Sequence, residues 1–211
     1  MTRPSSPSSI YLASKSPRRS ELLRQIGARF DLLLLRSDGS RAIDVSELVH
    51  PGEAAHAYVA RVAHEKADFA WRAMQWRGLE PRPVLAADTS VIIDGEILGK
   101  PANTFEAMAM LARLSGRTHQ VLTSLALRHG ALSEQVEQVT QVSEVDFCTL
   151  SQATVQAYCA TQEPYDKAGG YGIQGLAACF IARIQGSHSG IMGLPLFETA
   201  QLLRRAGIPI L

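Results

Sequence analysis

The stretch Val84-Leu85-Ala86-Ala87-Asp88-Thr89-Ser90-Val91-Ile92-Ile93-Asp94-Gly95-Glu96-Ile97-Leu98 decides the fold class. Its first four residues are all apolar, which reads as a buried strand that delivers Asp88 and Thr89 at its end. Val91-Ile92-Ile93 and Glu96-Ile97-Leu98 flank Asp94-Gly95, a pair suited to a type I′ turn, so a hairpin follows. A carboxylate released at the carboxyl end of a buried strand lies where ligands dock in α/β proteins. An aspartate that merely opens a turn has the same local sequence.

Working outward, Ile10-Tyr11-Leu12-Ala13 reads as a strand that runs into Ser14-Lys15-Ser16-Pro17. Ser16 suits a helix cap and Pro17 the first helical position, and Gly27 stops the helix. Residues 30–35 read as a second, fully buried strand and residues 36–51 as a polar loop. An alanine-rich amphipathic helix spans residues 53–76, and Pro81 and Pro83 end it. Asn103 with Glu106 has capping-box spacing for a helix reaching Leu114. Residues 119–128 and 136–149 read as long paired strands around His129-Gly130. A helix at 151–161, a Gly-rich loop at 164–175, a strand at 179–184 and a closing helix at 196–205 complete the chain. The alternation of strands and helices followed by long adjacent strands specifies a mixed α/β protein of two lobes.

The 211 residues suit one large domain or two small lobes. Hydrophobic residues at 46% and charged residues at 19% argue against disorder, and a net charge of +1 argues against an extended nucleic-acid surface. Mean hydropathy is zero and no long apolar run occurs, so no membrane span is expected. Residues 1–9 are rich in Ser and Pro and read as a disordered leader without a secretory signal. The three cysteines, Cys148, Cys159 and Cys179, have neither CxxC spacing nor a nearby His pair. They suit a reducing, cytoplasmic setting and read as core residues, because their segments are apolar. Trp71 and Trp76 read as packing residues near a helix end, and the apolar tail 208–211 suits either the core or an interface.

Cations concentrate where chemistry is expected. Ser14-Lys15-Ser16-Pro17-Arg18-Arg19 places basic residues in a first helical turn, which opposes the helix dipole unless an anion docks there. The chain has four lysines (Lys15, Lys66, Lys100 and Lys167) against seventeen arginines, and three of the four lie in candidate ligand segments. A compact ammonium serves phosphate as a point charge, unlike the planar guanidinium fork. Gly170, Gly172 and Gly175 form a GxGxxG. It follows a proline-containing loop and precedes a strand-like run, a context that argues against a dinucleotide fingerprint. There is no P-loop, no HExxH and no GxSxG in the sequence.

Taken together, Ser14-Lys15-Ser16-Pro17-Arg18-Arg19, Ala87-Asp88-Thr89, Gly99-Lys100-Pro101, Leu114-Ser115-Gly116-Arg117-Thr118-His119, Asp166-Lys167-Ala168-Gly169 and Gly193-Leu194-Pro195 resemble the Maf family of nucleoside triphosphate pyrophosphatases. The resemblance runs from about Ile10 to the last helix. It implies a single Maf-like domain of two lobes over residues 10–211, with a mixed sheet and a central cleft, similar to inosine triphosphate pyrophosphatases. The implied reaction converts a nucleoside triphosphate to the monophosphate and diphosphate with a divalent cation, Mg²⁺ or Mn²⁺.

Asp88 is the implied catalytic carboxylate and metal ligand. A second ligand falls to Asp38, Asp44 or Glu47. Ser14, Arg18, Arg19, Lys66, Lys100 and Lys167 are the implied substrate cradle. Arg19, Thr89 and Gln174 occupy the positions linked to base choice and resemble the branch acting on dTTP and UTP, with modified pyrimidine nucleotides as further substrates. The glutamine amide suits the O4/N3 edge of a pyrimidine. Alternatives are 7-methyl-GTP hydrolysis and a nucleotide-sensing regulatory protein affecting cell division. A homodimer is expected by the same resemblance.

Overall fold

The computed structural model describes residues 8–34, 45–129 and 136–211. In chain order the elements are β1 (Ile10–Leu12), α1 (Pro17–Gln25), β2 (Phe30–Leu32), α2 (Ala55–Trp76), β3 (Val84–Ile93), β4 (Glu96–Leu98), α3 (Thr104–Leu114), β5 (Thr118–Arg128) and β6 (Val136–Phe147). They continue with α4 (Gln152–Cys159), three short 3₁₀ turns, β7 (Ile181–Gln185), α5 (His188–Ile191) and α6 (Leu196–Arg205). One seven-stranded sheet runs β2-β1-β3-β5-β6-β7, with β4 added to β3. The β1 pairings to β2 and β3 are parallel and the others are antiparallel, so the sheet is mixed as expected.

The strand period of two distributes the core. Leu85 and Ala87 face α1 and α6, where they join Ile10, Leu12, Leu22, Leu23, Leu202 and Leu203. Val84 and Ala86 face the opposite side with Ala63, Ala67, Ala70, Trp71 and Met74 of α2. Farther along the same strand, Val91 and Ile93 enter a separate core with Leu111, Leu114, Val121, Val145 and Phe147. The long strands β3 and β5 therefore contribute to all three of these apolar clusters, the first two at one end of the strands and the third at the other. Between them lies a polar waist in which Asp88, Ser90, Thr123 and Ser124 are all buried.

At that waist one edge of β3 is open. The β1 pairing reaches only Leu85, and β4 begins pairing at Val91. On that edge residues 86–90 have no strand partner among the described residues, while their other edge pairs continuously with β5. The gap forms the floor of a cleft.

Local signals explain the elements. Pro17 opens α1, and Gly27, at φ 69°, ends it. The Asn103 side chain accepts from the Glu106 N–H at 2.9 Å, while the Glu106 carboxylate takes the Ala102 N–H at 2.9 Å rather than that of the cap residue itself. Asp94 and Gly95 both have positive φ, as the type I′ turn requires.

Several expectations are corrected. The strand beginning at Val84 continues to Ile93 instead of stopping at Ala87, because β5 pairs through the polar residues. Asp88 and Thr89 therefore sit mid-strand. The second strand is three residues long and half-exposed, with Leu32 at 49%, because it lies at the sheet edge. Cys148 and Cys179 are exposed and only Cys159 is buried. Trp71 packs, but Trp76 is 74% exposed in the last turn of α2. Ser16 precedes α1 without a side-chain cap bond. In the tail, Ile208 is buried whereas Leu211 is almost fully exposed. The expected leader lies almost wholly outside the described residues, as do most of loop 36–51 and the turn after His129.

Candidate active site

The gap in the sheet opens into a cleft of about 660 Å³ lined by residues of α1, α2, β3 and the Gly-rich loop. Lys66 enters from α2, one position before the buried Ala67 that packs on β3. Its ammonium lies 2.8 Å from Asp88 Oδ1 and 2.6 Å from Glu47 Oε1. Asp88 is buried and Glu47 more open. Burial opposes ionisation of Glu47. The Lys66 ammonium, helped by Lys100 and Arg19, outweighs burial and holds the carboxyl below its ordinary range.

Tyr58 on α2 donates to the Glu47 carbonyl at 2.9 Å. Burial, with Asp88 and Glu47 nearby, pushes its phenol up to about 12, so it remains a neutral donor. Arg61, one turn on, bonds the Ser46 and Leu48 carbonyls and the Glu53 carboxylate, tying the Glu47 segment to α2. The α2 surface thus holds the second carboxylate in place.

Arg19 reaches in from α1. Its Nε donates to the Gly193 carbonyl at 2.8 Å, Nη1 to Ser14 Oγ at 3.3 Å and Nη2 to Thr89 Oγ1 at 3.2 Å. Burial pulls its guanidinium below the usual arginine value, and Asp88 opposes this. Ser14 also accepts the Ser16 N–H and stands behind Arg19, apart from the lining residues. Arg18 pairs with Asp166 at 3.5 Å. Lys167 also pairs with Asp166 and donates to the Glu163 carbonyl at 2.7 Å. Lys100, after β4, and Gln174, on the Gly-rich loop, line the same cleft.

The cleft thus gathers Asp88, Arg18, Arg19, Lys66, Thr89, Lys100, Lys167 and Gln174, with Ser14 supporting one of them. Asp38 and Asp44 lie outside the described residues, whereas Glu47 faces Asp88 across Lys66.

Sequence reasoning missed three residues. The Glu163 carboxylate accepts the Leu176 and Ala177 N–H groups at 2.8 and 3.2 Å and the Tyr158 hydroxyl at 3.0 Å, anchoring the loop that carries Gln174. A Cβ at Gly175 would stand 2.3 Å from that carboxylate, so this glycine serves the loop's own packing. The missed signal was a glutamate opening the segment before a run of glycines. Tyr58 lies on a helix face that periodicity marks only as apolar, and Thr123 lies within a long strand.

The cleft of this mixed α/β protein thus holds a buried carboxylate, a second one bridged to it by an ammonium, and further cations around them. The Maf-like protein family model matches residues 9–206, and the chain belongs to that family. It is 52% identical to a dTTP/UTP pyrophosphatase of Aromatoleum aromaticum, over 95% of this chain and 97% of that protein. It is 54% identical to a protein so named from Burkholderia orbicola, over 94% and 93% respectively. A HAM1 protein structure from Coxiella burnetii aligns with a TM-score of 0.49 at 16% identity, covering 94% of this chain and 100% of that one.

Proposed function

We propose that this chain hydrolyses dTTP and UTP to the monophosphate and diphosphate, with Asp88 as the proton acceptor. The reading rests on one juxtaposition, Asp88 and Glu47 joined through Lys66 within a cleft that also holds Lys100, Lys167 and Arg18. Near full-length similarity to dTTP/UTP pyrophosphatases supports it.

A water oxygen bonds to the α-phosphorus as the α–β bridging P–O bond breaks. The water proton passes to an Asp88 oxygen, and the electron pair leaves on the diphosphate. Lys100, Lys167 and Arg18 take up the charge developing on that leaving group. Asp166 pairs with the latter two and yields them to phosphate when substrate enters. Lys66 takes one oxygen of each carboxylate, and the remaining oxygens of Asp88 and Glu47 would hold Mg²⁺ or Mn²⁺, hard cations suited to carboxylate oxygen. A cation held there would offset phosphate charge. Arg19, Thr89 and Gln174 read the base. The protein works as a cytoplasmic homodimer in this reading, in keeping with its three free cysteines.

The test is diphosphate release from dTTP, UTP, CTP, GTP and 7-methyl-GTP with Mg²⁺ or Mn²⁺. Release from dTTP and UTP above the others is expected. Release from 7-methyl-GTP alone would overturn the base assignment, and no release from any nucleotide would overturn the reaction.

A further inference from the structure

Arg19, Thr89, Thr123 and Gly190 form an unbroken hydrogen-bond chain running from the cleft into the core. Arg19 Nη2 lies 3.2 Å from Thr89 Oγ1, which lies 3.0 Å from Thr123 Oγ1, which lies 2.8 Å from the Gly190 carbonyl. The two threonines are direct cross-strand partners in β3 and β5. Thr123 is fully buried, and Thr89 lines the cleft.

Both ends of this chain are chemically fixed. A guanidinium can only donate and a carbonyl can only accept. Thr123 must spend its single proton on Gly190. Thr89 must then donate to Thr123, because the Thr123 oxygen has no second proton to offer. The only hydrogen bond Thr89 can offer a ligand is through its remaining lone pair. Arg19 meanwhile has used three of its five N–H groups, on Gly193, Ser14 and Thr89, which leaves one on each terminal nitrogen.

We propose that Thr123 sets base specificity by holding the Thr89 proton away from the cleft. Thr89 and Arg19 then present an acceptor beside a donor. That pair complements a ring N–H next to a carbonyl, the N3/O4 edge of uracil and thymine, and it mismatches cytosine, whose N3 and N4 reverse the pattern. Thr123 is a positioning residue that acts through Thr89. The inference rests on the reading of this cleft as a UTP and dTTP site.

The experiment compares kcat/KM for UTP and CTP in the wild type, Thr123→Val and Thr123→Ser. Valine keeps the volume but leaves Thr89 free to turn its proton toward the ligand. The UTP-to-CTP ratio should fall about tenfold or more, the scale of one lost hydrogen bond, with the change in KM and little in kcat. Serine retains the acceptor and should keep the ratio within about twofold of wild type. A folded Thr123→Val that slows both nucleotides alike, or a serine variant behaving like valine, would overturn the proposal.

Should Thr123→Val fail to fold, Thr89→Val removes the presented lone pair while leaving the Thr123–Gly190 bond intact. A collapsed ratio then supports the proposal and a preserved ratio overturns it. A wild type indifferent between UTP and CTP would overturn the site reading itself, and this inference with it.

Discussion

The Lys66 ammonium stands between two carboxylates, at 2.6 Å from Glu47 and 2.8 Å from Asp88. Without it, Glu47 loses the charge that holds its carboxyl below the ordinary range. The variant Lys66→Met is therefore expected to move the acidic limb of the kcat/KM–pH profile upward and to lower activity by roughly 10²-fold. An unmoved acidic limb would show that the Lys66–Glu47 pair is not coupled to catalysis. Residue identity was the most legible scale. The scarcity of lysine pointed to Lys15, Lys100 and Lys167, of which Lys100 and Lys167 line the cleft and Lys15 does not, while Lys66, which also lines it, was implied only by the family resemblance. The second carboxylate was less legible. Asp38, Asp44 and Glu47 are equivalent in sequence; Asp38 and Asp44 lie outside the described residues, and the Tyr58 and Arg61 contacts fix the Glu47 segment.

At the scale of elements, β5 carries a pH sensitivity that the site does not use. His119, in the first turn-proximal stretch of that strand, lies among Phe147 and Tyr171, with Nε2 2.7 Å from the Tyr171 hydroxyl and Nδ1 unpartnered. Burial pushes its imidazole down to about 4, and Asp146 opposes this only weakly. The unfolded chain takes up that proton near pH 6.5, so stability is fully present above pH 6.5 and is lost as pH falls toward about 4. The loss approaches about 3 kcal/mol at most. Urea midpoints of wild type and His119→Gln between pH 7.5 and about 4.5 check this, the variant showing the flatter curve. Parallel curves would contradict it.

Element boundaries were legible where local chemistry sets them, as at Pro17, Gly27, Asn103 and Asp94-Gly95. They were misread where a neighbour decides. Asp88, Thr89 and Ser90 stay in strand because β5 pairs along them, and the apolar run from Phe30 lies half-exposed because it meets only β1.

For the whole molecule, the decisive feature is the interrupted edge of β3 between the apolar clusters at its two ends. Strand alternation sends Asp88 toward α2 and Thr89 toward α1, yet the open edge lets both side chains line one cleft. No periodicity in the sequence encodes that gap, since it depends on where β1 stops and β4 starts. The mixed α/β class was nonetheless readable from the order of elements, and the family from motifs spaced along the chain. The account stands on Asp88 as the group that takes the proton from attacking water. The most direct test is diphosphate release from UTP by Asp88→Asn beside wild type, with nucleotide binding and folding measured on the same preparations. The account predicts a folded variant that binds UTP and turns over at least about 10²-fold more slowly. A folded Asp88→Asn protein releasing diphosphate at the wild-type rate would contradict it.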